Sequence, residues 1–476
     1  MLFKLLFFAG VVAAKVQFMG MNIAGFEFGC EIDGTCPTGS AIPPLSDGPG
    51  QMQHFVKDDQ MNIFRLPVSW QFLLNNKLGG TLDSSNMGKY DKLMQACLAT
   101  GAYCAIDLHN FARWNGKIIG QDGGPTNDQF ADIWKQLAIK YKANEKVIFG
   151  LMNEPHDVDI IAWATSCQAA VTAIRNVGAT SQMILLPGND FTSAGKFVAN
   201  GSGAALLVVK NPDGTTNGLI FDIHKYLDVD NSGNHVECTT DNTEAFASVA
   251  QFLRENGRKG LVSETGAGST ASCFTAFCAQ NSFINQNSDV YLGIIAWAAG
   301  SFSTSYTLSL TPTKQNGKFV DNKLASQCVV SVWLNAPTAV VTSAVVSPTS
   351  SRAGPSTSAS ALESATVIQP SGSVTSSKSV AAGTSTTVAL MQTTAAIVQT
   401  TNIPGPASAS PTFAVVTTGL VTASRNTSGN AAGTGDSTSS GAVATPTFQI
   451  SGATVTSHLR NSFGIGLCGF FVLILI

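Results

Sequence analysis

Eight apolar runs recur between residues 16 and 297, and their rhythm limits the folds open to this chain. They are Val16–Asn22, Asn62–Leu66, Ala102–Leu108, Val147–Asn153, Met183–Pro187, Leu219–His224, Gly260–Glu264 and Leu292–Trp297. Most are continuously apolar rather than alternating, the pattern of parallel strands buried on both faces. Amphipathic helices separate them. In one, Phe130, Ile133, Trp134, Leu137 and Tyr141 recur at helical spacing, and Thr126 with Gln129 forms a capping box at its start. Another carries Phe246, Val249, Ala250 and Leu253 and ends at Asn256-Gly257. Eight strands with intervening helices over about 320 residues predict an α/β fold, a (β/α)8 TIM barrel. An open, doubly wound sheet is the competing architecture.

In such a barrel the chemistry gathers where the strands end. The second run ends near Arg65, in FRLPVSW, and the third at His109 and Asn110, in IDLHN. The fourth ends at Asn153 and Glu154, in VIFGLMNEP, and the sixth at His224, with Tyr226 following, in FDIHKY. The seventh ends at Glu264, in GLVSETG, and the eighth at Trp297, in GIIAWA. Each residue alone has an ordinary structural reading as an ion-pair partner, a satisfied core histidine or a core aromatic. Their recurrence at the ends of most of the strands is what points to a site.

Strands four and seven lie on opposite sides of a barrel mouth, so Glu154 and Glu264 would face each other. Hydrolysis of a glycosidic bond with retention needs such a pair, one protonated and one ionised, about 5 Å apart. Arg65 is placed to hold Glu264 ionised, and Tyr226 to donate a hydrogen bond to it. Glu154, without a charged partner, would keep its proton. Asn153 offers an amide to a sugar hydroxyl, and Trp297 a flat face to a sugar ring. Thr265-Gly266-Ala267-Gly268 lacks the first-strand βαβ setting of a dinucleotide loop. There is no G-x-S-x-G elbow.

The flanks have a different character. Residues 1–14 combine Lys4, an apolar core and a small-residue site at Val12-Ala13-Ala14, the layout of a secretory signal. Residues 336–450 are about two-fifths Ser and Thr, with no Trp or Tyr, and read as a disordered, O-glycosylated stalk. Within residues 451–476, the small triplet Ser451-Gly452-Ala453, a polar spacer and the apolar Ser462–Ile476 match a glycolipid (GPI) attachment signal. Ser451 or Gly452 would be the attachment residue. Asn200 and Asn426 head N-glycosylation sequons.

Ten cysteines in a secreted chain suggest disulfides. Cys468 lies in the tail, and Cys167 sits on the apolar stripe of Trp163, Ala170, Val171 and Ile174 as a buried thiol. The others allow four local pairs, Cys30–Cys36, Cys97–Cys104, Cys238–Cys273 and Cys278–Cys328, although spacing alone leaves the connectivity open. A net charge of −3 with no basic cluster excludes nucleic acid as a partner. Six scattered histidines and no paired C-x-x-C argue against a metal site, and no cofactor is expected. The chain is expected to be a monomer.

Residues 18–328 resemble the fungal endo-β-1,4-glucanases of glycoside hydrolase family five. The resemblance is carried in order by FMGMNIAGFEFGC, FRLPVSW, DLHN, the NEP of GLMNEPHD, HKY and SETG. It implies a TIM barrel, a retaining mechanism and a β-glucan substrate. It matches Glu154 to the acid/base and Glu264 to the nucleophile, with Arg65, His109, Asn153, His224, Tyr226 and Trp297 in support. The four cysteine pairs are similar to that group's disulfides. Many relatives carry a cellulose-binding module; here a Ser/Thr stretch and an anchor signal follow instead. That favours soluble or amorphous β-glucan, or the cell's own wall. β-1,3-Glucanase, β-mannanase or transglycosylase activity on the same scaffold, and non-catalytic glycan binding, are the alternatives.

Overall fold

The structure is a computed structural model that describes residues 15–335. The expected signal segment, stalk and anchor signal, with Cys468, Asn426, Ser451 and Gly452, lie outside the described residues. The chain divides into two units after Pro355, and all the described residues belong to the first.

Eight parallel strands close into a barrel in which each sequential neighbour pairs with the next and the last with the first. They are β1 (Phe18–Ala24), β2 (Ile63–Val68), β3 (Tyr103–Leu108), β4 (Val147–Gly150), β5 (Ile184–Pro187), β6 (Leu219–His224), β7 (Gly260–Thr265) and β8 (Tyr291–Gly300). All eight apolar runs are therefore barrel strands, and the open sheet is excluded. Helices α1 (Gly48–Lys57), α2 (Ser84–Ala99), α3 (Asn127–Tyr141), α4 (Ile160–Asn176), α5 (Ser202–Leu206), α6 (Thr243–Glu255), α7 (Ala271–Gln286) and α8 (Ser331–Leu334) lie between or after the strands.

Strand alternation sorts the side chains. One inward residue from each strand fills the barrel floor: Phe18, Ile63, Ala105, Ile148, Leu185, Ile220, Leu261 and Ile295. The alternate residues, such as Met19, Met21, Phe64, Leu66 and Ile106, pack outward in the larger core. Two residues beyond the floor, on the same inward face, stand Arg65, Asp107, Asp222, Ser263 and Trp297. All are buried. An apolar floor beneath a polar layer is thus written into the period of two.

The helices are capped as the sequence suggests. Gln129 N–H donates to Thr126 Oγ1 at 3.2 Å, and Thr126 N–H donates to Gln129 Oε1 at 2.9 Å. After α6, Gly257 takes a φ of +61°, the left-handed turn that a Cβ disfavours. The four expected disulfides are all formed, and Cys167 is a buried free thiol. Cys278–Cys328 joins α7 to the segment that leads into α8.

Candidate active site

Two strand irregularities build the mouth. The fourth apolar run leaves the ladder at Gly150, not at Asn153 as the sequence suggests. Asn153 N–H then donates to Leu108 O at 2.8 Å, and Glu154 takes a φ of +43°. A regular strand would point Asn153 and Glu154 to opposite faces; the break turns both toward the mouth. The left-handed backbone at Glu154 costs on the order of 1 kcal/mol, a strain typical of functional positions. In β7 the pairing register with β6 slips between Val262 and Glu264. This bulge lets the adjacent Ser263 and Glu264 both reach the interior.

Arg65, 1 % exposed, occupies the centre of the polar layer. Its Nη1 donates to Glu264 Oε2 at 2.7 Å and to Asn22 Oδ1 at 2.8 Å. Its Nη2 donates to Asn153 Oδ1 at 2.6 Å and pairs with Asp107 Oδ1 at 3.0 Å. Tyr226 O–H donates to the other Glu264 oxygen at 2.7 Å. His224 Nδ1 lies 2.9 Å from Glu154 Oε1 and 3.9 Å from Glu264 Oε2, and its Nε2 lies 2.9 Å from Ser263 Oγ. One carboxylate oxygen from each glutamate and a ring nitrogen of His224 all lie within 4.8 Å of one another.

The surroundings push the two carboxyls in opposite directions. Desolvation and then the charge of Glu264 raise Glu154, and the His224 hydrogen bond only partly opposes them. Desolvation also acts upward on Glu264. There it is outweighed by His224, Arg65, His109 and the Tyr226 hydroxyl, so Glu264 is held below the usual range. The expectation that Glu154 lacks a charged partner is corrected by His224. The proton nonetheless favours Glu154.

His109 Nδ1 lies 2.8 Å from Asp107 Oδ2, and its Nε2 lies 3.3 Å from Asn153 Nδ2. The His109 ring stacks on Trp297 with centroids 5.7 Å apart, and Trp297 Nε1 donates to the Tyr306 hydroxyl at 3.2 Å. Asn110 is not brought to the mouth. It is fully buried, its Oδ1 accepts from Trp70 N–H at 2.7 Å, and its Nδ2 donates to Gln71 Oε1 at 2.6 Å. Being next to His109, it faces away. The Asn153 oxygen is likewise taken by Arg65, which leaves only its N–H2 group for a ligand. Asn200 has an engaged amide as well: its Nδ2 donates to Asp190 Oδ2 at 2.8 Å.

Sequence reasoning missed Asp107, Asp222, Asn22, Ser263 and Glu27. Asp107 and Asp222 were detectable, because each stands two residues before a site histidine in a D-x-H repeat at a strand end. Glu27 left no signal. It sits in the loop after β1 with Oε1 unpartnered, and burial pushes it up to about 7. Histidines scattered along the sequence come together with carboxylates in space. Among the described residues, histidine meets carboxylates at Glu154/His224/Glu264, at His54/Asp59/Asp321 and at Asp228/Asp230/His235.

The cellulase family model, glycosyl hydrolase family 5, matches residues 21–303. Endoglucanase EG-II of Hypocrea jecorina is 58 % identical over 327 residues, covering 67 % of this chain and 78 % of that protein. The manganese dependent endoglucanase Eg5A of Phanerodontia chrysosporium is 46 % identical over 297 residues, covering 62 % and 75 %. The crystal structure of Cel5A (EG2) from Hypocrea jecorina superposes with a TM-score of 0.65 at 56 % identity, covering 66 % of this chain and 98 % of that one.

Proposed function

The chain belongs to the cellulase family, glycosyl hydrolase family 5, and from that premise we propose that it is a retaining endo-β-1,4-glucanase with Glu154 as acid/base and Glu264 as nucleophile. The observation that carries the assignment is the carboxyl pair: oxygens within 4.8 Å, with one carboxyl raised and the other lowered. That spacing suits direct attack on the sugar and leaves no room for the water of an inverting enzyme, whose carboxyls stand roughly 6.5–9.5 Å apart.

In the first step Glu264 attacks the anomeric carbon while Glu154 gives its proton to the departing glycosidic oxygen. A covalent glycosyl-enzyme forms and the shortened chain leaves. Glu154, now ionised, then takes a proton from water as that water attacks the anomeric carbon. Glu264 is released as carboxylate and Glu154 is again protonated. His224, at hydrogen-bond distance from Glu154, stabilises it in its ionised phase. Arg65 and Tyr226 hold Glu264 in attacking position. Trp297, backed by His109, offers the sugar a ring face. Both steps run on carboxyl groups alone.

Four disulfides support an oxidising, extracellular setting. The tail layout supports attachment to the cell surface through a glycolipid, with the Ser/Thr segment as spacer.

Azide rescue tests the roles. Glu264→Ala with azide should give the α-glycosyl azide, because azide takes the face that Glu264 left. Glu154→Ala, on a substrate with a good leaving group, should give the β-glycosyl azide by attack on the covalent intermediate. Exchanged anomers would reverse the assignment, and an inverted product from the wild type would end the retaining mechanism. Carboxymethyl cellulose should be cleaved faster than laminarin or mannan. Preference for either of the latter would move the substrate to a β-1,3-glucan or a mannan.

A further inference from the structure

A second cluster of ligating side chains lies apart from the carboxyl pair. His54 is near the end of α1, and Asp58 and Asp59 follow that helix. Asp321 comes from far along the chain, after the hairpin formed by Thr313–Gln315 and Lys318–Val320. His54 Nδ1 lies 2.6 Å from Asp58 Oδ2, while His54 Nε2 lies 3.2 Å from Asp321 Oδ1 and 3.8 Å from Asp59 Oδ2. The side chains of His54, Asp59 and Asp321 are 9 %, 9 % and 10 % exposed. Asp59 Oδ2 is buried, points into the cluster and has no hydrogen-bond donor. Among the described residues no Lys or Arg pairs with these carboxylates; their ion-pair partner is His54.

The geometry leaves a charge problem. Nδ1 faces Asp58, so the single Nε2 is left to face two carboxylate oxygens, those of Asp321 and Asp59. A proton on Nε2 serves Asp321 but not Asp59. A metal ion about 2.0–2.2 Å from each donor would bring tetrahedral neighbours roughly 3.3–3.6 Å apart, between the 3.2 and 3.8 Å contacts already present. The carboxylate behind Nδ1 is the usual outer partner of a metal-bound histidine, fixing its tautomer and raising its basicity.

We propose that His54, Asp59 and Asp321 bind a divalent transition-metal cation, Zn²⁺ or Mn²⁺, with Asp58 orienting the imidazole. One imidazole with carboxylates suits these ions. The ion clamps α1 to the segment after β8. Asp321 adjoins Asn322, whose amide donates to Ser309 O at 2.6 Å in the loop that carries Tyr306. The site shares no residue with the double displacement, and its role is to hold that loop.

The test uses the full-length protein, stripped with chelator and dialysed. Titration calorimetry with ZnCl2 and MnCl2, loss of the free Mn²⁺ paramagnetic signal, and thermal melting are the readouts. The wild type should take up one equivalent and melt at higher temperature. Asp59→Asn and Asp321→Asn, on separate elements, should each abolish uptake and the melting shift while cleaving soluble substrate normally without metal. Asp58→Asn should weaken binding by about ten- to a hundredfold. No uptake by the stripped wild type would mean that the cluster holds only a proton, and the proposal falls. Uptake that survives both Asn variants and is lost in Glu154→Gln or Asp228→Asn would place the ion elsewhere and overturn it equally.

Discussion

Arg65 shares one guanidinium among Asn22, Asn153, Asp107 and Glu264. A Lys ammonium is a single point charge and could not span that set. The cation does two jobs: it neutralises the buried Asp107 and keeps Glu264 ionised. As the proposed nucleophile, Glu264 must be a carboxylate to attack, so activity should fall as pH drops through its pKa. Taking away the facing cation removes one of the causes that hold Glu264 below the usual range. Arg65→Ala should therefore move the acidic limb of kcat/KM to higher pH and leave the basic limb, set by Glu154, near its place. An active mutant with an unmoved acidic limb would separate Arg65 from Glu264. At this scale the sequence shows residue type and strand position. Arg65, His109, Asn153, Glu154, His224, Tyr226, Glu264 and Trp297 do gather at one mouth. Asn110 does not, because adjacent residues alternate faces, and strand-end position alone ignores that parity. The same parity would have found Asp107 and Asp222.

The strands were legible because continuous apolar runs have few other uses in a chain with helices between them. Their ends were less so. β4 stops at Gly150 and β7 carries a bulge at Ser263, and both departures re-aim the two glutamates proposed as catalytic. Hydrophobicity has no signature for a broken ladder, since Leu151 and Met152 are apolar in either conformation. The helix start at Thr126 was legible because its signal is local chemistry: two orphan N–H groups are satisfied by two named side chains. Trp134 of that helix donates to Leu151 O at 3.2 Å, behind the segment that carries Glu154. Thr126→Ala should lower unfolding stability by about 1 kcal/mol, read from urea transitions at constant slope. It should leave kcat/KM unchanged, because the anchor at Trp134 lies two turns further on. A large drop in kcat with little change in stability would instead tie the helix start to the placement of Glu154.

For the whole molecule, the residues of the candidate site and all four disulfides fall within residues 15–335. The Ser/Thr-rich segment lies outside the described residues and is proposed as a spacer. Its proposed contribution is distance, not catalysis. The terminal apolar stretch, Ser462–Ile476, is about fifteen residues, short of the roughly twenty that a spanning helix needs. The polar spacer and small triplet that precede it support the proposed attachment signal. Deleting Ser462–Ile476 should shift the protein from the cell surface to the medium. The released enzyme should keep the kcat/KM of the anchored form on a soluble β-glucan. Feeding cells radiolabelled inositol checks the linkage directly: the full-length chain should carry label and the deleted chain none. If the full-length protein stays on cells but incorporates no inositol, it is held by the wall or by an uncleaved tail, and the glycolipid reading is wrong.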